Sequence, residues 1–382
     1  MFKGIKKSKS TSYDDLSRQI YGTPNNAGNL EKLNAGVTSG EILFPEPDDD
    51  TESTGDGLRV EIGGETLTDF PEYTLIDSLG AIKGAVLIFV RTDKKYKFNF
   101  KDSIKIFDNS GLFLKGRIAN IKPASDVRAK WVQVEIKSDA GVLNETALPY
   151  PLEFQNLTLK QILNQICGYY GTKIEFSDAA ELDSLVQTEI GTSAAARLNE
   201  TTFDFMFRLC KAKGLLLTDT GDGLFVGRLT DDKKEKINFI ESECKGIASI
   251  HSEFKTDGLG RYYELNSQYP TTDSATVAIP FPLPVTKRVE SNDFNSRDLE
   301  NIATRYACDE IGKAFKTYIT LNETMALKSG NLVVVQSESA FIDEETTFVI
   351  ETVIQDESDK TQIVLTLPCK YTGVIPDKLP LC

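Results

Sequence analysis

Alternation of apolar and polar residues with a period of two is the feature that most restricts how this chain can fold. The clearest run follows the single tryptophan, where Val132, Val134 and Ile136 alternate with polar residues. A second run of this kind spans residues 58–62. Period-two alternation places one side of a strand against a core and the other against solvent. Several such strands joined by turns predict antiparallel β domains of the barrel or sandwich type.

The middle of the chain has a different pattern. Residues 159–166 and 203–210 carry apolar side chains at the three- and four-residue spacing of an amphipathic helix. A glycine ends each run, and a short strand pattern follows it. This part of the chain is therefore predicted to be a small α+β module.

A polar stretch separates the N-terminus from the rest. Residues 46–57 read EPDDDTESTGDG and contain no large apolar side chain, which is typical of a flexible linker. The whole chain is predicted to have an α+β, predominantly β fold, with two β-barrel-like domains flanking the α+β module. The predicted segments are a small N-terminal module at 1–45, the acidic linker at 46–57, a first β-barrel-like domain at 58–149, the α+β module at 150–243, and a second β-barrel-like domain with one helix at 244–382.

Composition excludes several classes of protein. The chain has 57 acidic and 43 basic residues and a net charge of −14, which disfavours binding to nucleic acid through its phosphates. No segment approaches the roughly 20 apolar residues of a membrane span, so no membrane anchor is expected. The basic start, residues 1–9, lacks a following apolar segment, so we expect no signal peptide and assembly in a host cytoplasm.

The sequence offers little for catalysis. His251 is the only histidine and lies in a predicted strand, so a packing or surface role is the simpler interpretation. The six cysteines are scattered, without a metal-binding pair, and are expected to be reduced and mostly buried. The acidic run 48–50 lacks the alternating oxygen ligands and the glycine of a calcium loop. We predict a protein that is not an enzyme, with no catalytic, cofactor or metal site.

Residues 11–45 resemble a LysM module. The pattern consists of a helix opening in Asp-x-Leu at Asp14, an Ile-Tyr-Gly at Ile20, a turn, a second helix, an asparagine and a closing strand that ends in Pro45. By this resemblance, the candidate interaction residues are Asp15, Leu16, Ile20, Tyr21, Asn25 and Asn34.

Residues 58–382 resemble the baseplate hub proteins of Mu-like contractile phages, the late-control protein family. The resemblance lies in the order of the domains, in two helices that begin near Leu159 and Phe203, and in a helix at 303–314. That third helix leads into the strand pattern Leu-x-x-Gly-Asn-Leu-Val-Val-Val at 327–335.

The family resemblance implies a structural protein of the virion tail. A hub of this family is a homotrimer that connects a six-fold tail tube to a three-fold spike and lines the DNA channel. The implied partners are further copies of the chain, the tail tube protein, the spike protein and baseplate wedge or ring proteins. DNA is expected to pass through the lumen without specific binding, because an acidic surface repels it. The LysM-like arm is interpreted as a tether to neighbouring baseplate proteins.

Two other interpretations stay open. The chain could be a LysM-targeted tail protein that binds or degrades peptidoglycan, or a spike component of the same assembly. Spikes usually contain repetitive β-helix stretches, and the sequence has no internal repeat of that kind.

Overall fold

The computed structural model describes most of the chain after residue 57. The described residues are 6–7, 40–41, 58–67, 72–90, 98–108, 111–125, 130–149, 153–183, 193–229, 237–241, 246–266, 274–289, 299–322, 325, 327–356 and 360–380. The chain divides into two compact units, Met1–Asp56 and Gly57–Cys382.

The first unit contributes one described strand pair. Strand β1 (Lys6–Lys7) runs antiparallel to β2 (Gly40–Glu41). The helices predicted for the LysM-like module lie outside the described residues, so this resemblance stays a prediction.

The second unit begins with a β region. Its strands are β3 (Arg59–Ile62), β4 (Glu65–Leu67), β5 (Glu72–Ser78), β6 (Gly84–Val90), β7 (Ser103–Asp108), β8 (Gly111–Ser125) and β9 (Lys130–Ser138). They pair in the antiparallel order β5-β6-β9-β8-β7-β3-β4. The alternating apolar residues, among them Val132, Val134 and Ile136, form a core of their own beneath this part of the sheet.

The α+β module follows. Its elements are α1 (Gly141–Glu145), β10 (Glu153–Gln155), α2 (Leu159–Tyr170), β11 (Ile174–Phe176), β12 (Ser193–Ala195), α3 (Thr202–Ala212), β13 (Leu216–Asp219) and β14 (Leu224–Gly227). Strands β11, β14 and β13 form one small sheet, and β10 pairs with β12. The helical apolar stripes predicted from the sequence face a second, separate core.

Local signals fix the ends of α2. Thr158 and Gln161 form a capping box, in which each side chain accepts a hydrogen bond from the other residue's backbone N–H. Gly171 ends the helix in the left-handed region with φ 66°, a conformation that favours glycine.

The C-terminal region returns to β structure. Its elements are β15 (Ile237–Ile240), β16 (Ile247–Phe254), β17 (Tyr262–Asn266), β18 (Ser274–Ala278), β19 (Thr286–Val289), α4 (Leu299–Ala314), β20 (Phe315–Leu321), β21 (Leu332–Ser337), β22 (Ile342–Asp356), β23 (Thr361–Thr366) and α5 (Cys369–Thr372). The main strands pair in the order β16-β20-β23-β22-β21-β15, and β18-β17-β19 form a small separate sheet. Helix α4 contributes to the third core, which contains its buried residues Ala303 and Ile311.

The predicted α+β, predominantly β fold is confirmed. The two β regions are more intimately joined than the sequence indicated, because β22 pairs with β5 and links them into one sheet. That sheet contains 13 of the strands within the described residues. The exact domain boundaries stay predictions. No helix in the described part of the chain is both long and apolar enough to cross a membrane.

The capping box predicts a measurable loss. Replacing Thr158 by alanine leaves the N–H of Gln161 without its acceptor, so we expect a stability loss of about 1 kcal/mol. Urea unfolding followed by circular dichroism measures it. Thr158→Ser keeps the hydroxyl and is expected to remain close to wild type; an equal loss in both variants would contradict the capping explanation.

Candidate functional site: the junction of two β units

One long strand connects the two β regions. The first half of β22 pairs with β21, and its second half, Thr352–Asp356, pairs antiparallel with Thr74–Ser78 of β5. The backbone N–H of Leu79 extends this ladder by donating to the carbonyl of Glu351 at 2.8 Å. The two regions are therefore joined by main-chain hydrogen bonds as well as by side chains.

The two regions repeat the same topology. In the first, four successive strands have the spatial order β6-β9-β8-β7, and in the second the corresponding order is β20-β23-β22-β21. The flanking strands also correspond, because β5 pairs antiparallel with β6 as β16 does with β20. We call these two sets, β5 to β9 and β16 with β20 to β23, the first and second β units.

The repeat extends to single residues. Strand β8 has a bulge against β9 between Ile118 and Asn120, and β22 has one against β23 between Ile350 and Thr352. Aligning the bulges places buried residues on buried residues at six positions in the centres of the two units. The matched buried pairs are Leu87 with Ile319, Ile104 with Val333, Ile106 with Val335, Ile118 with Ile350, Val134 with Ile363, and Ile136 with Leu365.

A buried ion pair lies at the β5–β22 connection. Asp77 on β5 is 4% exposed, and its carboxylate lies 3.6 Å from the ammonium of Lys83. Ser329 of the second unit donates to the same carboxylate from its backbone N–H at 3.1 Å and from its hydroxyl at 2.9 Å. Buried charges are tolerated when they are paired and hydrogen-bonded in this way. The pair therefore constrains how the two units meet.

A second buried carboxylate attaches the α+β module. Asp219 at the end of β13 accepts from the backbone N–H groups of Lys83 at 3.0 Å and Gly221 at 2.8 Å, and from the Ser138 hydroxyl. Burial raises the pKa of Asp219 above its ordinary value, against the lowering effect of these donors. The backbone of Gly221 packs so closely on β8 that a Cβ there would lie 2.1 Å from the Phe113 carbonyl oxygen.

Three parts of the chain meet around these carboxylates. A small apolar cluster combines Leu79 of the first β region, Leu216 of the module and Val349 of the second β region. A cavity of about 30 Å³ beside them is lined by residues that include Asp77, Lys83 and Gln355. A polar cavity of this size has room for about two water molecules, which is too small for an organic ligand. The arrangement is suited to holding three modules rigidly and not to binding a substrate.

Glu351 occupies the bulge of β22. Its carboxylate lies 3.0 Å from the ammonium of Lys316 on β20, and Lys370 of α5 also pairs with it. Burial raises the pKa of Glu351, but the hydrogen bonds and charges of the two lysines outweigh that effect and lower it below the ordinary 4.5. The bulge therefore ties β20, β22 and α5 together.

The structure also locates the chemistry-bearing residues considered in the sequence. The candidate residues Asp15, Leu16, Ile20, Tyr21, Asn25 and Asn34 lie outside the described residues. His251 is in a strand, as predicted, where its exposed ring stacks on Tyr318 at 4.7 Å between centroids. Cys167 is buried, which raises the pKa of its thiol to about 12 and makes it a poor nucleophile at neutral pH. Among the described residues, no three potential metal ligands cluster.

Sequence reasoning missed the residues of the junction. Asp77, Lys83 and Ser329 are 6 to 252 positions apart, so no local spacing marks them as partners. A signal was available in Asp77 and Lys83, because charged residues beside apolar strand patterns are candidates for buried pairs.

Removing one partner of the buried pair is expected to be costly. Asp77→Ala leaves the Lys83 ammonium buried without its carboxylate, so we expect a stability loss of about 3 kcal/mol. Thermal or urea unfolding measures it. The double variant Asp77→Ala with Lys83→Met removes both charges and is expected to recover about half of the loss; equal instability of both variants would contradict the charge explanation.

Glu351 predicts a pH-dependent effect. Because its folded-state pKa is lowered, the ionised carboxylate contributes stability above about pH 4.5, and this contribution is lost as the pH falls through the lower folded-state pKa. Glu351→Gln should therefore cost about 1.5 kcal/mol at pH 7. Unfolding measured from pH 3 to 7 tests this, because the gap between wild type and variant should narrow as the pH falls below about 4.5. A gap that does not change with pH would contradict it.

One segment of the chain matches a known family. Residues 140–228 match the family described as the second domain of gp44-like baseplate hub proteins. This segment contains the α+β module and the Asp219 attachment. No curated protein sequence matches the chain with significance.

Solved structures extend the likeness across most of the chain. The 43 kDa tail protein of prophage MuSo2 from Shewanella oneidensis is similar with a TM-score of 0.70 and 18% identity, covering 82% of this chain and 99% of that protein. A tail protein from Neisseria meningitidis MC58 is similar with a TM-score of 0.70 and 17% identity, covering 85% and 99%.

A third likeness is to a secretion-system protein. The E. coli c3393 protein has a TM-score of 0.55 and 12% identity, covering 83% of this chain and 79% of that one. It is described as a component of the type VI secretion system that is structurally similar to the T4 tail proteins gp27 and gp5. The chain therefore has the fold of these tail proteins, and the expected resemblance to baseplate hub proteins is confirmed by the domain at residues 140–228.

Proposed function

We propose that the protein is the structural hub of a contractile phage tail baseplate, a homotrimer that connects a six-fold tail tube to a three-fold spike. The observation that carries the proposal is the repeated β unit. Two units with one strand order and one bulge position are joined edge to edge in each chain. Three chains thus supply six similar units to a six-fold partner while keeping three-fold symmetry for the spike.

The comparisons support this proposal from two independent sides. The family model for residues 140–228 describes a baseplate hub domain, and the similar solved structures are tail proteins. A location in the tail of the virion agrees with both. The proposed partners are the tail tube protein, the spike protein and baseplate wedge or ring proteins.

The rigid junction fits a load-bearing protein. Main-chain pairing, the Ser329 hydrogen bonds to the buried Asp77 carboxylate and a shared apolar cluster all act between the two β regions or between them and the module. Such a connection resists relative movement of the units, which a hub needs when the surrounding sheath contracts. The matches to structural tail proteins favour a scaffold over an enzyme.

The net charge of −14 supports a further part of the proposal. A channel lined by three copies of an acidic chain repels the DNA phosphates, so that DNA passes without adhering. Residues 1–57 are proposed to act as a tether to neighbouring baseplate proteins through the LysM-like module and its acidic linker.

The mass of the native assembly tests the proposal. We expect both the full chain and a chain beginning at residue 58 to form trimers, because the repeated β units lie within 58–382. Native mass spectrometry or light scattering measures this directly. Loss of the trimer in the shorter chain would place the assembly contacts in the N-terminal arm, and a monomer in both, alone and with the spike, would contradict the hub proposal.

A further inference from the structure

Several strand edges in the second compact unit have no partner among the described residues, and two of them lie at equivalent places of the repeat. Strand β16 pairs with β20 along one edge only. The second half of β8, residues 118–125, pairs with β9 on one edge, while on the other edge the β7 ladder ends at Arg117. An open edge exposes a row of N–H and C=O groups that can pair with another chain.

The repeat indicates what these edges bind. In the alignment of the two β units, the second half of β8 corresponds to the second half of β22, and β16 corresponds to β5. These counterparts, β22 and β5, pair with each other within the chain. Each open edge is therefore the repeat equivalent of an edge that is already covered.

Side chains on the two open edges are less buried than their counterparts on the paired strands β5 and β22, as expected if a partner strand is missing. Leu75 and Asp77 on β5 are buried, whereas the corresponding Ser252 and Phe254 on β16 are only half-buried. On the other side, Val353 is buried and the corresponding Ile121 is half-buried. Apolar side chains are thus left partly uncovered on both open edges.

Resting on the proposed trimer, we propose that the second half of β8 in one copy pairs antiparallel with β16 of the next copy, in the register of the internal β22–β5 pairing. In this register, the pair Thr352–Ser78 within one chain has its counterpart in Asn120 opposite Lys255 of the next copy. Repeated three times, this pairing alternates with the internal pairing and closes one continuous sheet around a channel.

The residues that this register brings together are complementary. Ile121 falls opposite Phe254 of the next copy, and each already packs at the margin of its own β core. Lys122, which pairs with Glu135 in its own copy, falls opposite Glu253, which pairs with Lys255, so the register places two ion pairs side by side on the solvent side of the sheet. The register was set by the bulges and the internal ladder alone, so this agreement of size and charge is independent support.

Pro123 reduces the number of main-chain hydrogen bonds that the open edge of β8 can make. In the alignment of the two β units, the equivalent of Pro123 on β22 is Gln355. The Leu79 N–H donates to the Glu351 carbonyl, and bonded pairs alternate along the ladder from there, so the backbone N–H and C=O of Gln355 face β5. Proline offers a carbonyl but no N–H there, so it removes one bond from the new ladder and disfavours indiscriminate pairing of the free chain.

Engineered disulfides test the register. Two single variants, Lys122→Cys and Glu253→Cys, are expressed together as full chains so that mixed assemblies form, and the purified mixture is oxidised. Hydrogen-bonded and non-hydrogen-bonded pairs alternate along an antiparallel ladder, and in this register residues 122 and 253 form a non-hydrogen-bonded pair. Their Cα atoms are therefore about 4.5 Å apart, which is close enough for a disulfide. We expect a covalent dimer in the mixture that neither variant forms with wild type. Each chain carries only one of the two engineered cysteines, so the link must join two chains.

A control moves one cysteine along the same face of β16. Lys122→Cys mixed with His251→Cys places the two residues diagonally, about 7 Å apart, so this mixture should cross-link at least tenfold less. Equal yields in the two mixtures would overturn the proposed register. A trimer by native mass without the 122–253 link would overturn this strand pairing and leave the hub proposal standing; a monomer without the link would overturn both.

Charge reversal gives a second measurement that needs no cysteine. Lys122→Glu or Glu253→Lys alone should weaken association about fivefold per interface, and the chain with both changes should regain most of that loss. Additive losses in the double variant would contradict direct contact between the two side chains.

Discussion

Main-chain pairing of β22 with β5 holds the two β regions together and sets the positions of the side chains around it. It joins two β regions that are separated by the whole α+β module, so that the separate cores of both regions pack against one sheet. Backbone hydrogen bonds fix direction and register as well as proximity. The buried Asp77–Lys83 pair and the Ser329 donors then have a single geometry in which they are satisfied.

This connection explains why a buried polar cluster is tolerated in a structural protein. Asp77 and Asp219 each lie where two modules meet: Asp219 accepts hydrogen bonds from both sides of its contact, and Asp77 pairs with Lys83 of its own region and accepts hydrogen bonds from Ser329 of the other. Displacing either module would leave a desolvated carboxylate without donors, which costs more than an apolar mismatch. The charges thus specify one arrangement of the modules, whereas apolar packing alone would permit several.

Much of the local structure could be predicted. The alternation around Val134 gave the strands and their buried face, and the helical spacing from Leu159 gave α2 with its buried stripe. The junction could not be predicted, because Ser329 and Asp77 are 252 positions apart and neither carries a local signal of the other. The repeat of the two β units leaves no visible pattern in the sequence, since its matched positions share register and core burial but seldom the same residue.

Local side-chain periodicity indicates which residues form strands and helices and which face of each is buried, because it acts over a few neighbouring positions. The sequence also determined the acidic charge and the scarcity of catalytic side chains. Only the tertiary structure decided which strands are neighbours, that the two β units repeat one topology, and that β8 and β16 keep open edges. Strand partners are chosen by contacts between distant segments, whose register depends on bulges and packing that no local pattern records.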